Sequence, residues 1–170
     1  LEAIKTWRAD YNRDYQQRKR EDAENDEGSD QGTVVTIDEE SAWKAPLIER
    51  LLQMSPEGFE RRAQRLLLEA GFRNVEVTGQ TGDSGLDGVG VLRISLISFP
   101  VYFQCKRHKN SVGPGDVRDF RGAMAGRGEK GLLISTASFT RAAIAEVSRD
   151  GAPLVELVNG NDLCDLLQEY

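Results

Sequence analysis

Histidine and cysteine are nearly missing from this chain. One histidine (His108) and two cysteines (Cys105 and Cys164) occur in 170 residues. A single imidazole argues against a histidine-built zinc centre and against a Ser-His-Asp triad. Two isolated cysteines make neither a disulfide framework nor a Cys-x-x-Cys metal motif. They are expected to be reduced, mostly buried thiols in a cytoplasmic protein. Long apolar runs are also lacking: nothing approaches the roughly 18 residues that span a bilayer, so no membrane partner is expected. The N-terminus is charged and has no signal-peptide core. It begins with Leu rather than Met, which points to a piece of a longer protein. Chemistry must then run on carboxylates, amides and lysine.

What is present reads as a soluble globular domain: 39% hydrophobic and 29% charged residues. The length fits one domain with an appendage. The formal charge of −6 is unevenly placed. Residues 1–42 hold 6 Lys/Arg against 12 Asp/Glu, and residues 43–170 hold 16 of each. The segment 21–41 is acidic and carries Gly and Ser, the composition of a linker or weakly ordered tail. We therefore expect an acidic arm over 1–42, the tail of a missing upstream domain, and a folded domain over 43–170. Within that domain, residues 106–141 carry 8 Lys/Arg against 3 Asp/Glu. A local basic stretch is either a phosphate footprint or a solvated helix face.

Hydrophobic periodicity predicts a helix over 45–53. A second helix opens at Ser55-Pro56-Glu57, an N-cap, a first-turn proline and an early acid. Its apolar face is Phe59, Ala63, Leu66, Leu67 and Ala70, and Gly71 closes it. Strands are predicted over 74–78, 89–95, 101–106, 131–136 and 154–158. The segment 96–100 is expected to turn the chain. Helices are expected over 114–124, from a Ser138 cap to 149, and over 161–170. Early hairpins followed by β-α-β crossovers imply an α/β fold, a mixed central sheet flanked by helices on both faces.

One strand stands out chemically. In 101–106, VYFQCK, side chains alternate. Val101, Phe103 and Cys105 share the apolar face; Tyr102, Gln104 and Lys106 share the other. A buried amide and ammonium need partners. Just upstream, GDSGLDG places Asp83 and Asp87 among glycines. Asp87 sits where that segment enters the next strand, while Asp83 also fits an ordinary turn. A carboxylate and an amide carbonyl are hard ligands suited to Mg²⁺, and the Cys105 carbonyl can add a third oxygen.

Asp87 followed by Gln104-Cys105-Lys106 resembles the PD-(D/E)XK nuclease superfamily, in its variant with Gln for the acid. MSPEGFE at 54–60, TGQTGDSGLDG at 78–88, FQCKR at 103–107, VRDFRGAM at 117–124, LLISTASFT at 132–140 and LVNGNDL at 157–163 resemble the Mrr restriction endonuclease family. The resemblance spans about 44–170. It implies a restriction-endonuclease-like core and a Mg²⁺-dependent DNA endonuclease (Mn²⁺ as a substitute) that cuts modified, methylated double-stranded DNA. It further implies Asp87 as metal ligand, Gln104 as amide ligand, Lys106 as catalytic lysine and Glu60 as a residue aimed at the metal or its waters. Arg107, Lys109, Arg118 and Arg121 are candidate DNA contacts, with a solvated surface as the alternative. Cutting both strands favours a homodimer or higher oligomer. A helix N-terminus near Thr136, Ser138 and Thr140 is either a phosphate site or simply capped. Trp7, Tyr11 and Tyr15 form an aromatic stripe suited to packing on a neighbour. Gln104 in place of an acid keeps open a non-cleaving DNA-sensing module on the same fold, and a junction-resolving nuclease also remains open. A scaffold acting through the acidic arm would show no salt-dependent DNA binding.

Overall fold

The computed structural model describes residues 42–78, 85–128, 130–149 and 151–170. The expectations for the arm, its aromatic stripe and Asp83 lie outside those residues. The described elements are α1 (Lys44–Gln53), α2 (Pro56–Glu69), β1 (Arg73–Val77), β2 (Gly88–Ile94), β3 (Ile97–Lys106), α3 (Pro114–Met124), β4 (Lys130–Ser135), α4 (Arg141–Val147), β5 (Leu154–Val158) and α5 (Gly160–Glu169). The sheet has five strands in the order β1-β2-β3-β4-β5. β1, β2 and β3 pair antiparallel, and β3, β4 and β5 pair parallel. The mixed sheet inferred from the sequence is the observed one.

Local signals built most elements. Ser55 caps α2 by accepting from the Gly58 N–H at 3.0 Å, with Pro56 at the first helical position. Phe59, Ala63, Leu66 and Leu67 are buried along its inner face. Gly71 ends it with φ +93°, a conformation costly to any residue with a Cβ.

Two boundaries differ most from the sequence reading. β3 begins at Ile97, so Pro100 lies inside a strand, opposite Val91. It is tolerated because β4 joins β3 only from Tyr102 onward; at Pro100 the strand is still an edge on that side. The turn is shorter, at Ser95-Leu96, with Ser95 at φ +56°. The second difference is α4, which starts at Arg141 with Thr140 as its cap, accepting from Ala143 N–H at 3.1 Å. Ser138 does not cap it, because 138–139 run extended against 111–112. The Ser138 carbonyl accepts from Val112 N–H, and Val112 and Phe139 form a bridge.

Helices cover both sheet faces. Val117, Phe120 and Met124 of α3 pack with Ala143 of α4, Leu133, Val155 and Tyr102. On the other face Leu51, Phe59, Ala63, Leu66 and Leu163 pack with Ile134 and Val158. Leu67, Val75 and Phe103 complete that layer. The alternation expected in β3 is therefore real: Phe103 and Cys105 face α2, and Tyr102 faces α3.

Two glycines test this packing. A Cβ on Gly160 would stand 2.4 Å from the Thr136 carbonyl oxygen, a backbone atom with nowhere to move. Gly122, on the exposed side of α3, has nothing within 4 Å. We expect Gly160→Ala to cost about 1–3 kcal/mol. Gly122→Ala should stabilise by roughly 0.5–1 kcal/mol through helix propensity. Urea unfolding of both variants decides; equal effects would refute the stated contacts.

Candidate active site

The site forms where β2 begins and β3 ends. Asp87 immediately precedes β2. Its N–H donates to the Phe103 carbonyl at 2.9 Å, and its Oδ2 accepts from the Cys105 N–H at 2.6 Å. The carboxylate thus occupies the place of the next ladder partner of β3, fixed by backbone on both counts. Backbone groups of alternate residues face the same neighbouring strand. The Cys105 carbonyl therefore lies on the β2 side, like that of Phe103, whereas the Lys106 carbonyl accepts from Thr136 N–H on the β4 side.

Gln104 is half-buried, and its Oε1 is buried without a hydrogen-bond partner. Such an orphaned acceptor costs about 1–3 kcal/mol unless something electropositive meets it. Gly85 stands close by: at φ +73°, a Cβ there would sit 3.2 Å from Gln104 Nε2. Lys106 Nζ donates to Asp116 Oδ1 at 2.8 Å, and Asp116 Oδ2 accepts from Gly113 N–H at 3.2 Å. Asp116 was not singled out from the sequence. Its only local signal was an acid in the first turn of a helix, the pattern of a cap.

Electrostatics tie these groups together. Burial raises the Asp87 pKa, against the Cys105 N–H bond and the Lys106 charge that lower it. Glu60 is also raised, by burial and then by Asp87. It belongs to α2, on the opposite sheet face from Gln104, and reaches the field of Asp87 from there. Burial pushes the Cys105 thiol well up, with Asp87 and Glu60 adding to it. A thiol held protonated is no thiolate ligand, so only the Cys105 carbonyl can serve a hard cation. Asp116 is lowered, first by its hydrogen bond from Lys106.

The oxygen donors here would suit a hard divalent cation. Among the described residues no group of three or more His, Cys, Asp or Glu is placed to hold an ion. A cation here would lean on the Asp87 carboxylate, the orphaned Gln104 Oε1 and the Cys105 carbonyl, with water and phosphate completing the shell. Mg²⁺ is commonly held in this way, by one or two carboxylates plus substrate.

The basic candidates separate. Arg107 donates to the Leu52 carbonyl at 2.6 Å, anchoring the end of α1, and its Nε is buried without a partner. Lys109 is exposed. Arg118 is more than half exposed and pairs with Glu146 at 3.3 Å. Arg121 is buried, and this corrects its assignment as a DNA contact. Its guanidinium donates to the carbonyls of Glu146, Val147 and Pro153, closing the C-terminus of α4. Thr136 Oγ1 accepts from His108 N–H and donates to its carbonyl, so it clamps a loop.

The raised Asp87 has a stability consequence. Between the ordinary aspartate range and its raised value, the folded chain binds more protons than the unfolded chain, so stability falls as pH rises. In EDTA at neutral pH, Asp87→Asn should therefore be more stable than the parent. That gain should vanish toward low pH, where Asp87 is protonated in both states, and shrink when Mg²⁺ is added. Thermal melts across pH check it; a variant less stable than the parent in EDTA would contradict the electrostatic account.

Comparison with known proteins identifies the family. The restriction endonuclease family model Mrr_cat matches residues 51–167. The type IV methyl-directed restriction enzyme EcoKMrr of Escherichia coli (strain K12) is 38% identical over 134 residues, 72% of this chain and 41% of that protein. An uncharacterised mitochondrial protein of Schizosaccharomyces pombe is 33% identical over 101 residues, 56% of this chain and 40% of that protein. Among solved structures, the DNA modification-dependent restriction endonuclease AspBHI superposes with a TM-score of 0.63 at 27% identity, over 83% of this chain and 40% of that one. The MspJI restriction endonuclease, solved in complex with a 27-mer oligonucleotide, does so with a TM-score of 0.57 at 25% identity, over 83% and 34%. The chain spans about two fifths of the length of the curated relatives it matches. The chain belongs to the Mrr catalytic-domain family of restriction endonucleases.

Proposed function

We propose that this domain is a Mg²⁺-dependent endonuclease that hydrolyses phosphodiester bonds in modified, methylated double-stranded DNA. The observation that carries the reading is the convergence of Asp87, the orphaned Gln104 Oε1 and Lys106 at one end of β3. The type IV activity of EcoKMrr and the modification dependence of AspBHI support the substrate class.

Asp87, Gln104 and the Cys105 carbonyl would hold the cation. When bound, Mg²⁺ polarises a phosphate oxygen and lowers the pKa of bound water. The chain's own residues do the rest. Asp87 is fixed by backbone and needs no reorganisation. Lys106, with two of its three ammonium donors left after Asp116, can orient water or meet charge developing on the phosphoryl oxygens. Glu60 acts from the α2 side as a carboxylate in the field of Asp87. Of the basic residues, Lys109 remains suited to a phosphate track; Arg118 and Arg107 serve it only if they leave Glu146 and the Leu52 carbonyl. One such site cuts one strand, so we assign double-strand cleavage to a homodimer or higher oligomer. Residues 43–170 are the catalytic unit. No helix among the described residues is long and apolar enough to cross a membrane.

The test is cleavage of methylated and unmethylated plasmid with Mg²⁺, with Mn²⁺ and with EDTA. We expect nicking or linearisation of methylated plasmid with either metal and none in EDTA. Asp87→Ala and Lys106→Ala should each lower the rate by about 10²–10³-fold or more. DNA binding without cleavage under every condition would favour the sensing module instead. Lys109→Ala should weaken duplex binding and reduce its salt dependence by about one counterion, whereas Arg121→Ala should change stability instead.

A further inference from the structure

We propose that Asp116, in the first turn of α3, is the positioning residue for Lys106: it holds the ammonium in place beside Asp87 at the end of β3. This rests on the nuclease reading for its role, and on geometry for its existence.

The contact is close and partly sheltered. Lys106 Nζ and Asp116 Oδ1 are 2.8 Å apart, with side chains 20% and 32% exposed. Asp116 is itself held. Its second oxygen accepts from Gly113 N–H, Pro114 fixes the entry to α3, and Val117 and Phe120 just beyond are fully buried. The carboxylate is therefore a fixed point supplied by a helix, not a mobile surface acid. A lysine side chain has four soft torsions, and an ammonium hooked to a fixed point loses most of that freedom.

Position 104 explains why an outside carboxylate is needed. Its side chain is a neutral amide, and its Oε1 takes no bond from Lys106. Asp87 spends Oδ2 on the Cys105 N–H. Where an acid at 104 would put a second charge on the strand, this chain brings one from α3. Lys106 keeps two donors for water or phosphate, now aimed from a defined place. Such fixation acts on the reacting geometry and not on duplex affinity.

The experiment compares the parent with Asp116→Asn and Asp116→Glu, with Lys106→Ala as reference. Three quantities are read: the single-turnover cleavage rate with Mg²⁺, duplex affinity in EDTA, and the melting temperature. We expect Asp116→Asn to lose about 10–100-fold in rate with affinity and melting temperature little changed. Asp116→Glu should recover much of the loss. An Asp116→Asn variant cutting at the parental rate overturns the proposal. So does equal loss in both variants with a matching fall in melting temperature, which is a structural role. If the parent itself does not cut, the nuclease reading fails separately, and the lysine ammonium ¹H–¹⁵N resonance decides. Assigned by its absence from Lys106→Ala, it should be visible in the parent and lost to solvent exchange in Asp116→Asn. A resonance unchanged in Asp116→Asn overturns the placement.

Discussion

β3 is shared between two kinds of pairing, antiparallel with β2 and parallel with β4, and the site depends on that seam. The backbone of Phe103 and Cys105 is turned to β2, and that of Lys106 to β4. Asp87 closes the β2 side with its own N–H and then with its carboxylate. A slip of one residue in this register would send Gln104 and Lys106 to the α2 face and Cys105 to the α3 face. Phe103, fully buried against Leu67 and Val75, resists that slip. Core packing on one face of the strand thereby fixes Gln104 and Lys106 on the other.

Much of this arrangement is legible in the amino acids because it is local. Alternation in 101–106 separates the faces, and Ser55-Pro56 and Gly71 bracket α2. What is not legible arises where distant segments meet. Asp116 has the pattern of a capping acid and is one. Its other oxygen meets Lys106 only because α3 starts beside the end of β3. Arg121 has the spacing of a surface helix position, and nothing nearby in sequence shows that α4 ends over it. Pro100 looks like a turn because local chemistry does not reveal that β4 starts pairing only two residues later. Ser138 loses its cap to Thr140 for a similar reason, the bridge from Val112 to Phe139.

The treatment of polar groups is uneven across the domain. Thr136 and Arg121 are buried with their bonds made. Gln104 Oε1, at the end of β3, is buried with none, and burial also raises Asp87 and Glu60 nearby. Gln104, Asp87 and Glu60 thus gather unmet electrostatic demand that the proposed cation would answer, while Arg107 Nε is a buried donor without a partner. A site that is costly without ligand and satisfied with it is preorganised, and stability is the usual cost of that.

The excess of 8 Lys/Arg over 3 Asp/Glu in 106–141 suggests a broad basic surface. In the fold much of that charge is already spent. Arg107 holds the end of α1, Lys106 holds Asp116, Arg121 closes α4, and Arg118 shares Glu146 with Arg121. Glu146 and the C-termini of α3 and α4 set negative potential against the arginines there. The exposed cationic surface is thus smaller than the count, in keeping with the balance of 16 positive and 16 negative residues over 43–170. On the proposed nuclease reading, charge alone would give such a surface only weak duplex affinity.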